Sequence, residues 1–167
     1  EAAKVKFGSL PPVTLTPPQN TTSWTMSGGT TKAWPAKKGP RNYGFLPYWT
    51  IKSTKLHWKA LTQLAWFSAE VSSTGAIGNT HGWGGSTAKA IIAEAHKHGV
   101  QVTLTFTLFS KSGITKVLAT EAKRKALIDK IVTLVISGGG DGVNIDFEGL
   151  AKESRNQMKA FIAAHRG

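Results

Sequence analysis

The sequence predicts an α/β protein made of four successive β-α units on a parallel sheet. Three observations predict it. From Tyr43 onward, short apolar runs alternate with segments of helical period, the pattern of repeated β-α units. Between Val100 and Phe109, Val102, Leu104, Phe106 and Leu108 alternate with Thr103, Thr105 and Thr107, which gives a strand one apolar and one polar face. From Thr120 and Glu121, a broad stripe of Leu127, Ile128, Ile131, Val132, Leu134 and Val135 recurs at helical spacing until Gly138, Gly139 and Gly140 end it.

Residues 1–40 are rich in Pro, Thr, Ser and Gly and read as a linker or extended arm. Trp24 and Trp34 are out of keeping with a fully disordered tail, so part of this arm is expected to dock on the folded body. Residues 41–167 form the folded domain. Its first strand is Tyr43 to Trp49, followed by a connection too irregular for a helix. The second strand is about Leu61 to Val71, and a Gly-rich loop through His81, Gly82, Trp83, Gly84 and Gly85 leads to Ser86, the expected N-cap. The helix that follows has Ile91, Ile92 and Ala95 on one side and stops at Gly99. A fourth strand, Gly142 to Leu150, precedes a last amphipathic helix containing Met158, Phe161 and Ile162.

Composition narrows the function classes. Twenty-one basic against 9 acidic residues give a formal net charge of +12, attractive to polyanions such as nucleic acid, anionic wall polymer or an acidic membrane surface. Lys37, Lys38 and Arg41, and Lys123, Arg124 and Lys125, are scattered and carry no nucleic-acid-reading signature, so a solvated basic surface is the expectation, or one offset by an acidic partner segment. Without cysteine there are neither disulfides nor thiolate metal sites. No apolar run approaches the roughly 18 residues that span a bilayer, and a start at Glu1 without Met reads as a processed or truncated N-terminus. The histidines lack ligand-like spacing, so no metal or cofactor is expected, and His96 and His98 read as solvated or dipole-stabilising groups beside a helix end.

Three of the nine acidic residues fall within Asp141-Gly-Val-Asn-Ile-Asp-Phe-Glu148. On a strand Asn144, Asp146 and Glu148 share one face, and Val143, Ile145 and Phe147 the other. If the apolar side meets helices, the polar row points inward, with Glu148 nearest the carboxyl rim where barrel active sites lie. Clustered carboxylates in a partly buried strand cannot all ionise cheaply, so one is expected to hold a proton near neutral pH, as protonating a glycosidic oxygen requires. A cation site and a solvated acidic strand end remain open on this evidence.

The acidic stretch resembles the family 18 glycoside hydrolase signature, Asp-x-x-Asp-x-Asp-x-Glu at the end of the fourth barrel strand. Asp141 stands at the first Asp, Asn144 replaces the second, Asp146 is the third, and Glu148 is at the general-acid position. Asn at the second position is similar to a variant of spore-cortex and peptidoglycan-type members. Tyr43-Gly-Phe-Leu-Pro-Tyr-Trp49 also resembles the family's first strand, where aromatics line the sugar subsite. The Ser-x-Gly-Gly of many chitinases is missing from the third strand, which leans toward the peptidoglycan-type branch.

The resemblance implies the first four units of a (β/α)8 TIM barrel and, with it, retaining hydrolysis of a β-linked N-acetylhexosamine polymer in which the substrate's acetamido group attacks the anomeric carbon. Glu148 is then acid and base, Asp146 orients the acetamido group, and Asp141 and Asn144 support Asp146. Candidate sugar platforms are Tyr48, Trp49, Trp66, Phe67 and Trp83, with Trp83 foremost, although each ring is more often core than platform. Four units leave two open sheet edges, so strands five to eight are expected from a second chain or another copy. The expected setting is secreted or cell-envelope, the partner a polysaccharide containing N-acetylglucosamine. The competing reading is a non-hydrolytic, lectin-like or scaffold protein on the same fold, against which the presence of Glu148 counts.

Overall fold

The computed structural model describes residues 40–164; the arm of residues 1–40, with Trp24 and Trp34, lies outside the described residues up to 39. Four parallel strands, β1 (Tyr43–Pro47), β2 (Gln63–Glu70), β3 (Gln101–Leu108) and β4 (Gly142–Phe147), form one sheet in the order of the sequence. Four helices accompany them: α1 (Ser86–Lys97), α2 (Lys111–Leu118), α3 (Glu121–Gly138) and α4 (Arg155–Ala164). This is the β-α order and parallel pairing expected of half a barrel.

Alternation decides the two faces. Leu46, Leu64, Trp66, Val102, Leu104, Phe106 and Leu108 form one core with Ile92 and Ala95 of α1, Ile114 and Val117 of α2, Leu127, Ile131 and Val135 of α3 and Phe161 of α4. Val143, Ile145 and Phe147 of β4 pack against it, and the Phe147 ring stacks on that of Phe161. Tyr43, Phe45, Phe67, the three threonines of β3, Asn144 and Asp146 take the other side. Thr103, Thr105 and Thr107 are nonetheless buried. Their hydroxyls are bonded, as buried hydroxyls must be: Thr103 to the Tyr43 phenol at 2.8 Å, Thr105 to the amide of Asn144 at 3.2 Å, and Thr107 to Ser68 at 3.3 Å.

Local chemistry fixes the helix ends. The Ser110 hydroxyl accepts from the N–H of Gly113 and the Thr120 hydroxyl from that of Lys123, each an ordinary N-cap. Ser86 is not a cap: Gly85 holds that position, without a side-chain bond, and Ser86 is the first helical residue. The crossover between β3 and β4 contains two helices rather than one. Eight residues including Gly113 give α2 too little periodic signal to separate from its neighbour, although Ile114, Val117 and Leu118 are buried. Val132, expected in the apolar stripe of α3, is exposed, whereas Leu127, Ile131 and Val135 are buried and Ile128 and Leu134 pack part-buried against the core.

The run Gly138-Gly139-Gly140 does more than end α3. Gly139 is left-handed, with φ +84°, as a helix C-cap requires. A Cβ at Gly138 would land on the Trp83 indole, and one at Gly140 would lie 2.7 Å from it. These glycines make the slot in which Trp83 sits.

Candidate active site

The site is built at the carboxyl ends of the strands, where the register brings distant residues level. Pro47, Phe67, Thr105 and Asn144 form one row across the four strands; after an irregularity between Phe67 and Ala69, Glu70, Thr107 and Asp146 form the next. The first strand is shorter than expected. Pro47 ends it, and Tyr48 and Trp49 belong to a 3-10 turn, Tyr48–Thr50, which lifts both rings onto the rim.

Of the four motif residues, the structure gathers three at this end. Asn144 is tied to Thr105 through its side-chain amide, and Asp146 follows on the same face, half-buried. Glu148 lies one residue past the end of β4, its backbone N–H donating to the Leu108 carbonyl at 3.1 Å, so the β3–β4 pairing carries its backbone onto the rim. Among the described residues, the carboxylates of Asp146 and Glu148 have no hydrogen-bond partner and are uncommitted. Glu148 is exposed. β4 is an edge strand of this sheet, so among the described residues no further strand flanks the outer side of Glu148.

Asp141 belongs elsewhere. It stands at the amino end of β4, five residues from Asp146, or roughly 16 Å along a strand. Its Oδ2 accepts the N–H of Val102 at 2.7 Å and the Nε2–H of His96 at 2.8 Å, and its own N–H donates to the Val102 carbonyl. The expected support of Asp146 is therefore replaced by a clamp joining α1, β3 and β4. His96 correspondingly holds Asp141 rather than standing solvated, and His98 bonds Glu94 and stacks on Trp58.

The five aromatic candidates divide in two. Tyr48, Trp49 and Phe67 line one open cleft of about 410 Å³, together with Ser68, Glu70, Val71, His81, Thr107, Leu108 and Phe109. Trp49 is 62% exposed and meets Phe67 edge-on. Trp66 and Trp83 instead lie in the core on the helix side, 1% and 6% exposed, packed against each other. Trp83 donates its indole N–H to the Leu134 carbonyl at 3.0 Å. Neither ring can present a face to a sugar; apolar burial outweighs the invitation of the surrounding glycines.

Phe109, Glu70 and His81 lie in the cleft without having been singled out in the sequence. Glu70 is one of only nine acidic residues and closes a strand, a signal comparable to that of Glu148. His81 carried one only through its neighbouring glycines. Burial pushes the Tyr43 phenol, deeper on the same face, above its ordinary range, an effect partly offset by its bond to Thr103. Among the described residues no group of three His, Cys, Asp or Glu side chains could hold a metal ion, and no helix is long and apolar enough to cross a membrane.

Neither a protein-family model nor a curated protein matches the sequence. Solved structures do. A chitinase from Bacteroides thetaiotaomicron is similar at 24% identity and a TM-score of 0.60, over 72% of this chain and 40% of that one. The spore cortex-lytic enzyme SleL of Bacillus cereus is similar at 20% identity and 0.58, over 75% and 32%. A chitinase from Rhizomucor miehei is similar at 17% identity and 0.63, over 74% and 42%. The chain therefore has the fold of part of a chitinase-type TIM barrel, the class that its acidic motif resembles, and spans about a third to two fifths of these neighbours' lengths.

Proposed function

We propose that this chain carries the acid-catalyst strand of a glycoside hydrolase that cleaves a β-linked N-acetylhexosamine polymer, peptidoglycan or a chitin-like chain, at the cell envelope or outside the cell. The observation that carries the reading is the pair of uncommitted carboxylates, Asp146 and Glu148, at the carboxyl end of β4, one strand away from an aromatic cleft. Its likeness in fold to chitinases and a cortex-lytic enzyme supports the same class.

In this mechanism Glu148 protonates the glycosidic oxygen as the bond to the anomeric carbon breaks. The substrate's acetamido oxygen attacks that carbon from the opposite side, and Asp146 orients the acetamido group and balances the positive charge that develops on it. Glu148, now a carboxylate, takes a proton from water, which opens the cyclic intermediate with net retention. Asn144, anchored on Thr105, limits the side-chain freedom beside Asp146. Tyr48, Trp49 and Phe67 offer flat apolar rings to the sugar.

A general acid of this kind works best in a shielded site, and Glu148 is exposed just past the end of an edge strand. We therefore also propose that further strands pair with β1 and β4 and cover the inner face, supplied by more of the same polypeptide, a separate chain or a second copy. The test is turnover of N-acetylglucosamine oligomers and purified cell wall by the complete assembly, against Glu148→Gln. A loss of about 100- to 10,000-fold is expected. Equal turnover by the two proteins removes Glu148 from the mechanism, and binding without turnover in both supports the lectin-like reading. A cooperatively folded monomer of the 167-residue chain would count against the need for cover.

A further inference from the structure

Glu70 ends β2 level with Thr107 and Asp146, two strands from the acidic strand. At about 4.8 Å between strands, it stands roughly 10 Å across the sheet from Asp146, the scale of a disaccharide in a β-linked sugar polymer. Its side chain is 59% exposed, yet one oxygen is held: the Nε2–H of His81 donates to Oε1 at 2.9 Å. The other oxygen has no partner among the described residues.

His81 is itself immobilised. Its ring lies flat on Tyr48, with centroids 3.6 Å apart and planes within 5°, and it is only 10% exposed. Its backbone is left-handed, with φ +48°, a conformation uncommon outside glycine, and its N–H donates to the Asn79 side chain at 2.8 Å. The loop folds back on the strand end, since the N–H of Glu70 donates to the Asn79 carbonyl and that of Gly78 to the Glu70 carbonyl. Such a loop spends backbone freedom to hold one carboxylate at the mouth of the cleft.

The surroundings define what this carboxylate meets. Tyr48, Trp49, Phe67 and Phe109 supply aromatic surface, and the bonded hydroxyls of Ser68 and Thr107 lie beside it. A fixed charged acceptor against flat rings suits neutral hydroxyl donors on a ring that stacks. We propose that Glu70, positioned by His81 and Tyr48, is a specificity-determining residue that accepts hydrogen bonds from the hydroxyls of a sugar residue further along the polymer than the one over Asp146 and Glu148. The assignment rests on the polysaccharide reading above and extends it to a subsite on β2.

The test is binding of N-acetylglucosamine oligomers to the complete assembly carrying Glu148→Gln, followed by tryptophan fluorescence, with Glu70→Gln, His81→Asn or both added. Asn is chosen because it tolerates the left-handed backbone, and the exposed Glu70 can be changed without disturbing the core. Each change is expected to weaken binding about tenfold, and the two together little more than either alone, because they act as one unit. With Glu148 intact, KM should rise and kcat stay within about twofold, the signature of lost uniform binding. Unchanged affinity in Glu70→Gln, or fully additive losses, overturns this assignment alone. Absence of oligomer binding by the parent assembly overturns the polysaccharide reading and the assignment with it.

Discussion

The carboxylate of Asp141 meets the N–H of Val102 at 2.7 Å, so the first acid of the motif stitches β4 to β3 at the end of the sheet opposite the cleft. His96 joins the same carboxylate from α1. Asp141→Ala leaves the Val102 N–H without its acceptor and is expected to cost about 1.5–3 kcal/mol, read as a lower urea midpoint at unchanged slope. Affinity for N-acetylglucosamine oligomers should not change. A stable Asp141→Ala protein that binds the oligomers poorly would return this residue to the sugar site.

Trp83 and Trp49 should respond in opposite ways. Removal of the buried Trp83 side chain, with its bond to Leu134, is expected to cost about 3–5 kcal/mol. Trp83→Phe is the milder check, and its oligomer affinity should equal that of the parent. Trp49→Ala, at a position 62% exposed, should leave stability within about 0.5 kcal/mol and weaken oligomer binding severalfold. If Trp49→Ala bound as tightly as the parent, the aromatic cleft would not be the sugar platform.

Tyr43 gives a pH signature. Its phenol is raised in the folded protein by burial, so the unfolded chain loses this proton first as pH rises. The contribution is complete below the ordinary tyrosine value of about 10 and disappears as pH climbs through the higher folded value. The stability difference between the parent and Tyr43→Phe should therefore shrink between about pH 9 and pH 11. Urea midpoints for the two proteins across that range check it, and a constant or widening difference would contradict it.

Much of this fold was legible in the sequence because its signals are local. The threonine alternation of β3, the stripe of α3 and the glycines after α1 and α3 each report on residues a few positions apart, and the strands and helices formed where those patterns lay. The misses have physical causes. Helix α2 is short and contains Gly113, so periodicity alone joins it to its surroundings. Tyr48 and Trp49 left the strand because Pro47 ends it and the chain turns at once.

By itself the sequence determined which strand bears the acids and that Asn144, Asp146 and Glu148 share one face of it, since a two-residue period needs no knowledge of neighbours. Only the tertiary structure decided what each of those side chains meets. The acidic stretch was split between a clamp at Asp141, at the amino end, and the uncommitted carboxylates of Asp146 and Glu148 at the other, because the strand runs the full depth of the sheet. The same class of residue, tryptophan, was divided between core and rim by the slot that Gly138 and Gly140 open for Trp83. Glu70, His81 and Tyr48 came together through parallel register and a folded-back loop, contacts between segments 11 to 33 positions apart, and no local pattern encodes such a meeting.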